Sequence, residues 1–406
     1  MSLVKPFAGL RPTREQAEAV VAPPYDVLSA AEAKILVQDK PLSFLHISKA
    51  EIDLADGIDP YDPSVYAKAA ENFAKMRADG VLVVEHTPVY YVYRLTMGGH
   101  IQTGLVATAS VAAYDANRVR KHEFTRPVKE DDRVRQIDAL NAQTGPVFLV
   151  YRSHEVVDRI LTEVTQGDVE VDLVAEGGVR HEIWVMRDEH QMQAVTRAFD
   201  AMEAIYIADG HHRSAAASRV AAMRSNPQAD YFLSVLFPHN QMQILDYNRV
   251  ISSLNGLSVV DFLAQIAQSF EVRKQDAAVK PSAINQFGMY LQGQWYELVI
   301  HQALIPSVDD PVGRLDISLL ANHLIEPVLG IADPRRDARI DFVGGIRGMQ
   351  GLEKRVDSGE MVVAFSIFPT SMDDLMSVAD ANEVMPPKST WFEPKLADGL
   401  VSHVLD

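Results

Sequence analysis

The chain contains no cysteine among its 406 residues. This absence excludes disulfide bonds, thiolate nucleophiles and Cys-ligated zinc. Long apolar runs are missing too, because none approaches the roughly 18 residues that a membrane-spanning helix needs. The N-terminal residues show neither the basic nor the apolar region of a secretory signal. We therefore expect a cytoplasmic protein with no membrane partner.

Basic residues are scarce relative to acidic ones. Lysine and arginine number 38 against 55 aspartates and glutamates, which gives a net charge of −17. Such a surface repels nucleic acid and anionic membranes, so we expect no nucleic-acid partner. A nucleotide, which is itself an anion, therefore needs a local cationic pocket to bind to this negatively charged protein. The 47% hydrophobic and 23% charged residues are ordinary for a globular chain, and the length allows two or three domains.

Strand and helix patterns alternate along the chain. Apolar runs bounded by turn residues predict strands at 81–84, 89–95, 101–111, 147–151, 182–186, 231–237, 295–301 and 361–367. Helical spacing and helix-end signals predict helices at 64–79, 129–141, 156–164, 191–202, 214–224, 260–270, 316–325 and 371–379. The pattern predicts an α/β (or α+β) fold, with mixed sheets and helices. We divide it into an N-terminal α+β part (1–115), a core (116–255) and a C-terminal α/β part (256–406), with a turn at Asn255-Gly256.

The segment 206–213, Tyr-Ile-Ala-Asp-Gly-His-His-Arg, carries the clearest functional signal. The apolar run from Ala204 to Ala208 predicts a buried strand that ends in an Asp-Gly turn, with Asp209 near the N-cap of the following helix. Free N–H groups and the positive end of the helix dipole meet there, which suits an anion such as phosphate. Positive side chains at a helix start oppose that dipole, so they indicate a role other than stability.

Two interpretations of this helix start stay open. In the functional one, an imidazole of His211 or His212 neutralises a phosphate and Arg213 binds it through two hydrogen bonds. In the other, Asp209 caps the helix and the histidines satisfy nearby carbonyl groups. Adjacent helical residues point about 100° apart, so we expect only one imidazole to face a ligand.

A second charged cluster runs from Lys121 to Arg133 and opens another helix. Its later residues are typical of a solvated helix start, where acidic side chains suit the dipole. The dipeptide His122-Glu123 differs, because a carboxylate beside cations can accept a proton from a substrate hydroxyl. The cluster is not a zincin motif, since Arg126 stands where the second histidine would be.

These segments carry a family resemblance. The two clusters, together with Lys5-Pro6-Phe7, residues 22–27 and residues 385–395 (Met-Pro-Pro-Lys-Ser-Thr-Trp-Phe-Glu-Pro-Lys), resemble the bacterial and archaeal family known as domain of unknown function 1015. The resemblance runs from end to end of the chain. The resemblance is specific for membership of this family and less specific for the reaction that the protein catalyses.

The middle of the chain also resembles the free-serine kinases of the ParB/sulfiredoxin superfamily. "His-Glu … Thr … Arg", followed later by "Asp-Gly-His-His-Arg", carries this second resemblance. It implies a ParB-like module in which Glu123 is the base on a hydroxyl, while the second motif holds nucleotide phosphates and a metal. The sulfiredoxin branch is excluded, since it needs a cysteine.

The resemblance and the residues together predict a kinase that uses ATP or ADP with Mg²⁺ and phosphorylates the hydroxyl of a small metabolite, L-serine among them. A nucleotide-binding regulatory protein and a phosphohydrolase remain alternatives, and a homo-oligomer is compatible with the sequence. The predicted catalytic residues are Glu123, His122, Asp209 and His211, the predicted nucleotide-binding residues are Gly210, His212, Arg213, Arg126 and Lys388, and the predicted metal ligand is Asp209.

Other segments carry weaker signals. Lys388-Ser389-Thr390 follows two prolines, which suits a preorganised cationic contact. Tyr25-Asp26 is a candidate for a pocket lining. Residues 344–348 (Gly-Gly-Ile-Arg-Gly) match neither a dinucleotide fingerprint nor a P-loop, so they form either a tight turn or a phosphate loop. Residues 333–339 indicate a solvated loop of self-paired charges.

Overall fold

The computed structural model describes residues 2–406 and divides them into two compact units. The first takes the described residues up to Met242 together with Pro394–Asp406, and the second is Gln243–Glu393. This division differs from the predicted boundaries at 115 and 255. One sheet takes strands from both sides of position 115, and the second unit begins before the Asn255-Gly256 turn.

The strands are mostly short, and their bounds follow in chain order. They are β1 (Val4–Lys5), β2 (Leu10–Pro12), β3 (Leu82–Val84), β4 (Tyr90–Met97), β5 (His100–Ser110), β6 (Val119–Arg120), β7 (Ala142–Gln143), β8 (Val147–Tyr151), β9 (Val171–Val174), β10 (Arg180–Met186), β11 (Ile205–Asp209), β12 (Tyr231–Pro238), β13 (Ile244–Leu245), β14 (Tyr247–Ile251), β15 (Phe270–Gln275), β16 (Gln286–Leu291), β17 (Gln294–Ile300), β18 (Ile340–Gly344), β19 (Val363–Ile367), β20 (Trp391–Phe392) and β21 (His403–Val404).

The α-helices lie between these strands. They are α1 (Ala17–Val20), α2 (Ala30–Leu36), α3 (Leu45–Ser48), α4 (Pro63–Ala78), α5 (Val111–Asp115), α6 (Pro127–Leu140), α7 (Glu155–Val164), α8 (Glu189–Ala201), α9 (His211–Met223), α10 (Val259–Ile266), α11 (Asp316–Leu320), α12 (Gly348–Asp357) and α13 (Met372–Asp380). A short 3₁₀ helix at Tyr25–Val27 contributes to the candidate site.

The first unit is built on a mixed sheet with the order β6-β11-β8-β12-β5-β4-β10-β9, and β1 pairs with β5. Two of its pairings are parallel, β6 with β11 and β8 with β12. Strands β8 and β12 are buried along their whole length, and both consist mainly of apolar residues. Helices α7 and α8 place Val157, Ile160 and Phe199 in the core with this sheet.

Helices α6 and α9 meet through a small apolar cluster that includes Val134, Ile137 and Val220. The contact fixes the start of α9 against the segment that leads into α6. Helix α4 also contacts α6, and the Tyr66 hydroxyl donates to the Asp132 carboxylate at 2.9 Å. The helix starts that carry the candidate site residues are therefore held by packed neighbours.

The second unit is an antiparallel sheet with the order β15-β17-β16-β19-β14-β18. Its larger core gathers Phe262, Phe287 and Leu320, while Leu352 and Val356 of α12 belong to a smaller cluster with Trp295. Both clusters are dominated by apolar side chains, which is ordinary for a sheet covered by helices.

The predicted mixed α/β class is confirmed. Two local expectations were wrong in detail. Helix α9 begins at His211 and not at Ser214, and the helix expected over 316–325 is an α-helix only to Leu320, followed by a π-helix at Ala321–Ile325. Within residues 2–406, no helix is both long and apolar enough to cross a bilayer.

Candidate functional site

A parallel strand pairing brings the two charged clusters together. Val119 of β6 lies beside Ile205 of β11, and Arg120 lies beside Tyr206. The carboxyl ends of parallel strands meet at one edge of the sheet. The residues that follow β6 and β11 therefore emerge side by side, although His122 and His211 are 89 residues apart in the chain.

The turn after β11 depends on Gly210. This residue has φ 97° and ψ 27° and is the N-cap of α9. A left-handed conformation favours glycine, because a Cβ there clashes with the backbone. No side chain in the described chain caps the helix. Asp209, the last residue of β11, directly precedes the N-cap, in agreement with its expected place, but its side chain does not cap the helix. The N–H groups of the first turn therefore stay available to a ligand.

Both imidazoles in the first turn of α9 accept hydrogen bonds from the loop that leads into α6. The His122 backbone N–H donates to His211 Nε2 at 3.4 Å, and the Arg126 backbone N–H donates to His212 Nε2 at 3.0 Å. The expectation that only one imidazole faces a ligand stays a prediction. Because each Nε2 accepts, each ring is neutral and carries its proton on Nδ1.

Burial keeps these rings neutral. It lowers the pKa of His211 well below its ordinary value, and the neighbouring His122 lowers it further. Burial also lowers the pKa of His122 to about 4. The His122 and His211 rings contact each other edge to face, with centroids 4.5 Å apart. Within residues 2–406, His122 Nδ1 has no hydrogen-bond partner.

Glu123 lies next to the helix start. Its Oε2 atom is 3.9 Å from Nδ1 of His211, and about half of its side chain, 53%, is exposed. The proton on His211 Nδ1 therefore faces the carboxylate. The geometry on which the predicted site depends, Glu123 and His211 at one place, is present. The catalytic roles of these residues remain predictions.

The Asp209 carboxylate forms an ion pair with Lys395. The Lys395 Nζ group donates to Asp209 Oδ2 at 3.2 Å. Burial alone would raise the pKa of Asp209, but the charges of Lys395 and Arg213 outweigh it and hold that pKa well below its ordinary range. Asp209 is therefore ionised at neutral pH and holds an ammonium group beside the helix start.

Arg213 links the helix start to a second set of charges. Its guanidinium donates to the Pro146 carbonyl and, at 3.3 Å, to Asp26 Oδ2. Burial alone would lower the pKa of Arg213, but the carboxylates of Asp26 and Asp209 raise it above its ordinary value. Arg213 is therefore a permanent, nearly buried cation, with 11% of its side chain exposed.

A small cavity adjoins Arg213. It lies between the segment after α6, the start of α9 and the chain near Tyr25. The polar residues that line it are Tyr25, Ser48, Arg133, Gln136, Gln143, Thr144, Arg213 and Asp398. The sequence pattern singled out Tyr25 and Arg213 as candidate site residues. It indicated no role for Arg133 or Asp398.

A dedicated metal site is not found in the part of the chain that the structure describes, where no three His, Cys, Asp or Glu residues group together to hold an ion. Mg²⁺ that accompanies a nucleotide needs only one or two carboxylates and takes its other ligands from phosphate and water. Asp209 offers one ionised carboxylate, shared with Lys395. The residues therefore fit an ion brought with a nucleotide.

The remaining predicted residues lie as follows. Arg126 is the N-cap of α6, and its side chain is exposed. Lys388 belongs to the second unit, where its backbone has φ 59° and its carbonyl accepts a hydrogen bond from Arg249 at 3.0 Å. Sequence reasoning gave no role to Lys395, although the residue ends a quoted motif, and it did not single out Asp398.

The model of one protein family, described as "Protein of unknown function (DUF1015)", matches residues 4–318. The chain belongs to the DUF1015 family. The end-to-end resemblance stated from the sequence is thereby confirmed over most of the chain. Comparison with curated proteins finds no match to this DUF1015 protein.

Several solved structures show a weak likeness to this DUF1015 protein. A free serine kinase in complex with AMP is 10% identical, with a TM-score of 0.36 over 71% of this chain and 86% of that one. A conserved hypothetical protein from Pyrococcus furiosus is 11% identical, with a TM-score of 0.35 over 72% and 93%. SbnI from Staphylococcus aureus, truncated at its C-terminus, is 10% identical, with a TM-score of 0.37 over 71% and 82%. Likenesses this weak indicate nothing about the chemistry of this chain.

Proposed function

We propose that this DUF1015 protein is a nucleotide-dependent kinase that phosphorylates the hydroxyl of a small metabolite, such as L-serine. One observation carries the proposal. The Glu123 carboxylate lies 3.9 Å from His211, which stands in the first turn of a helix that no side chain of the described residues caps. A base and an anion-binding helix start at one place are what phosphoryl transfer requires.

The phosphate site is the start of α9. Its first-turn N–H groups and the positive end of the helix dipole attract a phosphate. Lys395 and Arg213 add two cations at the same turn, and Asp209 holds Lys395 in place. Phosphoryl transfer asks the protein mainly for such positioning and charge stabilisation. Mg²⁺ bound with the nucleotide would take Asp209 as its protein ligand and neutralise phosphate charge.

Glu123 is the proposed base. As the substrate hydroxyl oxygen forms its bond to phosphorus, the bond from phosphorus to the nucleotide oxygen breaks, and the hydroxyl proton passes to the Glu123 carboxylate. The half-exposed side chain is accessible to a substrate. The Nδ1 proton of His211 faces the Glu123 carboxylate and orients it. Because the His211 ring is neutral, it leaves the carboxylate charged and able to accept a proton.

Hydrolysis is the second function that an observation favours. With 53% of its side chain exposed, Glu123 is accessible to water as well as to an alcohol. A phosphohydrolase would use the same phosphate site, with water as the nucleophile. The two activities differ only in the acceptor, so a product analysis separates them.

The test uses the full chain with ATP or ADP, Mg²⁺ and a set of hydroxyl metabolites that includes L-serine, with products identified by mass spectrometry. We expect a phosphorylated metabolite. Glu123→Gln should keep nucleotide affinity within about 2-fold and lose turnover by about 10²-fold or more. Glu189→Gln, an exposed glutamate at the start of α8, should leave both unchanged.

The outcomes are distinct. Release of inorganic phosphate without a phosphorylated metabolite would replace the kinase by a hydrolase. Nucleotide binding with no turnover would favour the regulatory alternative. If the wild-type chain binds neither ATP nor ADP, the proposed phosphate site is wrong.

A further inference from the structure

The cavity beside Arg213 has features of a ligand site in its own right. It is lined by residues from several distant segments, among them Tyr25, Ser48, Gly145 and Asp398. The cavity shares Arg213 with the first turn of α9, so a molecule inside it lies beside the proposed phosphate site.

A buried hydroxyl in the cavity wall lacks a partner. Ser48 ends α3 and is only 9% exposed, and within residues 2–406 its Oγ atom makes no hydrogen bond. A buried polar atom without a partner is costly and uncommon in native proteins. A ligand that contacts Ser48 would supply the missing hydrogen bond.

The charges around the cavity are two guanidinium groups and one buried carboxyl group. Arg133 uses Nε and one terminal nitrogen on Asp132, at 3.0 and 2.7 Å, which leaves its other terminal nitrogen available to a ligand. The Arg133 guanidinium also stacks on the Tyr25 ring at 3.9 Å. Asp398 accepts the Tyr25 backbone N–H on Oδ2 at 3.3 Å.

We propose that this cavity binds a small carboxylate that carries a hydroxyl group, with the carboxylate held by Arg133 and Arg213 and with Ser48 and Asp398 as further hydrogen-bonding partners. Guanidinium groups recognise carboxylates through paired hydrogen bonds, whereas a ligand whose only charge is an ammonium group would be repelled by both arginines. As the acceptor pocket for phosphoryl transfer the site rests on the proposed kinase function, but as a binding site it does not.

Asp398 makes binding depend on pH. Burial raises its pKa to about 7, while Arg213 and Arg133 oppose this and Asp26 adds to it. These three side chains, from α9, α6 and the short helix at Tyr25, are the charged groups that act on it, and the Tyr93 hydroxyl of β4 is also affected by its charge. A protonated Asp398 donates a hydrogen bond to a carboxylate, whereas an ionised one repels it. Binding should therefore weaken as pH rises through about 7.

The experiment is calorimetric titration of the full chain, without nucleotide, at about pH 6 and pH 8.5. The probes are D-glycerate and L-serine, which carry a carboxylate and a hydroxyl, and glycerol and ethanolamine, which carry no carboxylate. We expect at least one carboxylate probe to bind at least about 10-fold more tightly than glycerol and ethanolamine do. We also expect its affinity to be at least about 5-fold lower at the higher pH than at the lower one. The tighter of glycerate and serine identifies the acceptor subclass.

Three variants sharpen the test. Asp398→Asn should abolish the pH dependence and bind the carboxylate more tightly than wild type at the higher pH. Asp316→Asn removes another buried carboxyl group whose pKa is raised to about 7, in the second unit, and should change neither affinity nor pH dependence. Ser48→Ala should weaken binding by about 3- to 10-fold without lowering the melting temperature, because its hydroxyl has no protein partner among the described residues.

Several results would overturn the proposal. They are tighter binding of ethanolamine than of the carboxylates, failure of both carboxylates to bind, or a pH dependence that persists in Asp398→Asn. Carboxylate binding without phosphoryl transfer would support this binding site and contradict the proposed kinase function. Phosphoryl transfer that is insensitive to Asp398→Asn and Ser48→Ala would support the kinase function and contradict this binding site.

Discussion

The two units place their buried charges differently. In the first unit, Asp209, Arg213 and Asp398 interact with other charged side chains around a helix start and a cavity. In the second unit, the buried Arg249 is held by backbone carbonyls, those of Tyr247 and Lys388. Burial of a charge therefore does not by itself indicate a site. A convergence of opposite charges beside free N–H groups and a cavity does.

Buried carboxyl groups show the same contrast. Burial raises the pKa of Asp398 and of Asp316 to about 7 in each case. Asp316 accepts a backbone N–H from Asn285 at 2.8 Å, and the other charge that acts on it is the carboxylate of Asp374. Asp398 interacts electrostatically with two arginines and borders the cavity. Only Asp398 has the surroundings of a ligand-binding group.

The largest expected effect comes from removing the buried arginine of the first unit. Arg213→Met leaves Asp26, Asp209 and Asp398 without their shared cation, and breaking a buried ion pair costs about 3–5 kcal/mol. Arg249→Met removes a cation whose described partners are carbonyls and the Phe342 ring, so we expect a smaller loss of about 1–2 kcal/mol. Urea unfolding of both variants measures the difference. Equal losses would show that the two arginines are equivalent.

The two buried carboxyl groups should destabilise the fold when they ionise. A folded-state pKa raised above the unfolded value means that stability is present at low pH and is lost as pH rises from about 4 toward 7. Asp398→Asn and Asp316→Asn should each increase the free energy of unfolding at pH 8 by about 1–3 kcal/mol, with little change at pH 4. Urea unfolding across pH checks this, and a gain that is independent of pH would contradict it.

Alanine substitutions at two glycines distinguish the effect of backbone strain on stability from an effect on nucleotide binding. Gly210 and Gly256 both have positive φ, 97° and 80°. Alanine at either position should cost about 1–2 kcal/mol of stability. Gly210→Ala also brings a Cβ within 3.4 Å of the Val147 backbone and shifts the start of α9, so nucleotide affinity should fall by about 10-fold, whereas Gly256→Ala should leave it unchanged. Nucleotide titration of both variants tests this. Equal affinities would indicate that the helix start does not hold the phosphates.

The smallest expected effect concerns an exposed cation. Arg126→Ala removes an exposed side chain beside the helix start but keeps the backbone N–H that donates to His212. Nucleotide affinity should fall by about 2- to 5-fold at low salt and less at high salt. Arg336→Ala in the second unit, whose side chain is 89% exposed, is the matched control. A loss of equal size in both variants would point to overall charge and not to a local contact.

Local signals predicted the elements of the site better than their assembly. The apolar run before Asp209 predicted the strand, and Asp209-Gly210 predicted the turn, because both depend on neighbouring residues. That Glu123 lies beside His211 follows from the parallel pairing of β6 with β11. No short-range pattern encodes that pairing, so only the resemblance to the free-serine kinases suggested it.

The cavity was beyond the reach of sequence patterns for a similar reason. Asp398 stands among apolar residues from Leu396 to Val401, and such a pattern indicates burial. It does not show which cations would surround the carboxyl group, since Arg133 and Arg213 come from other helices. The predicted helix range began three residues after the observed start at His211, although both histidines were expected in the first turn.

Hydrogen–deuterium exchange of the full chain with and without ADP and Mg²⁺ tests whether the start of α9 holds a nucleotide. We predict that the nucleotide slows exchange at the amides of residues 121–126 and at the first turn of α9, from His211 to Ser214. Protection confined to residues 243–393, or no protection although ADP is bound, would contradict it.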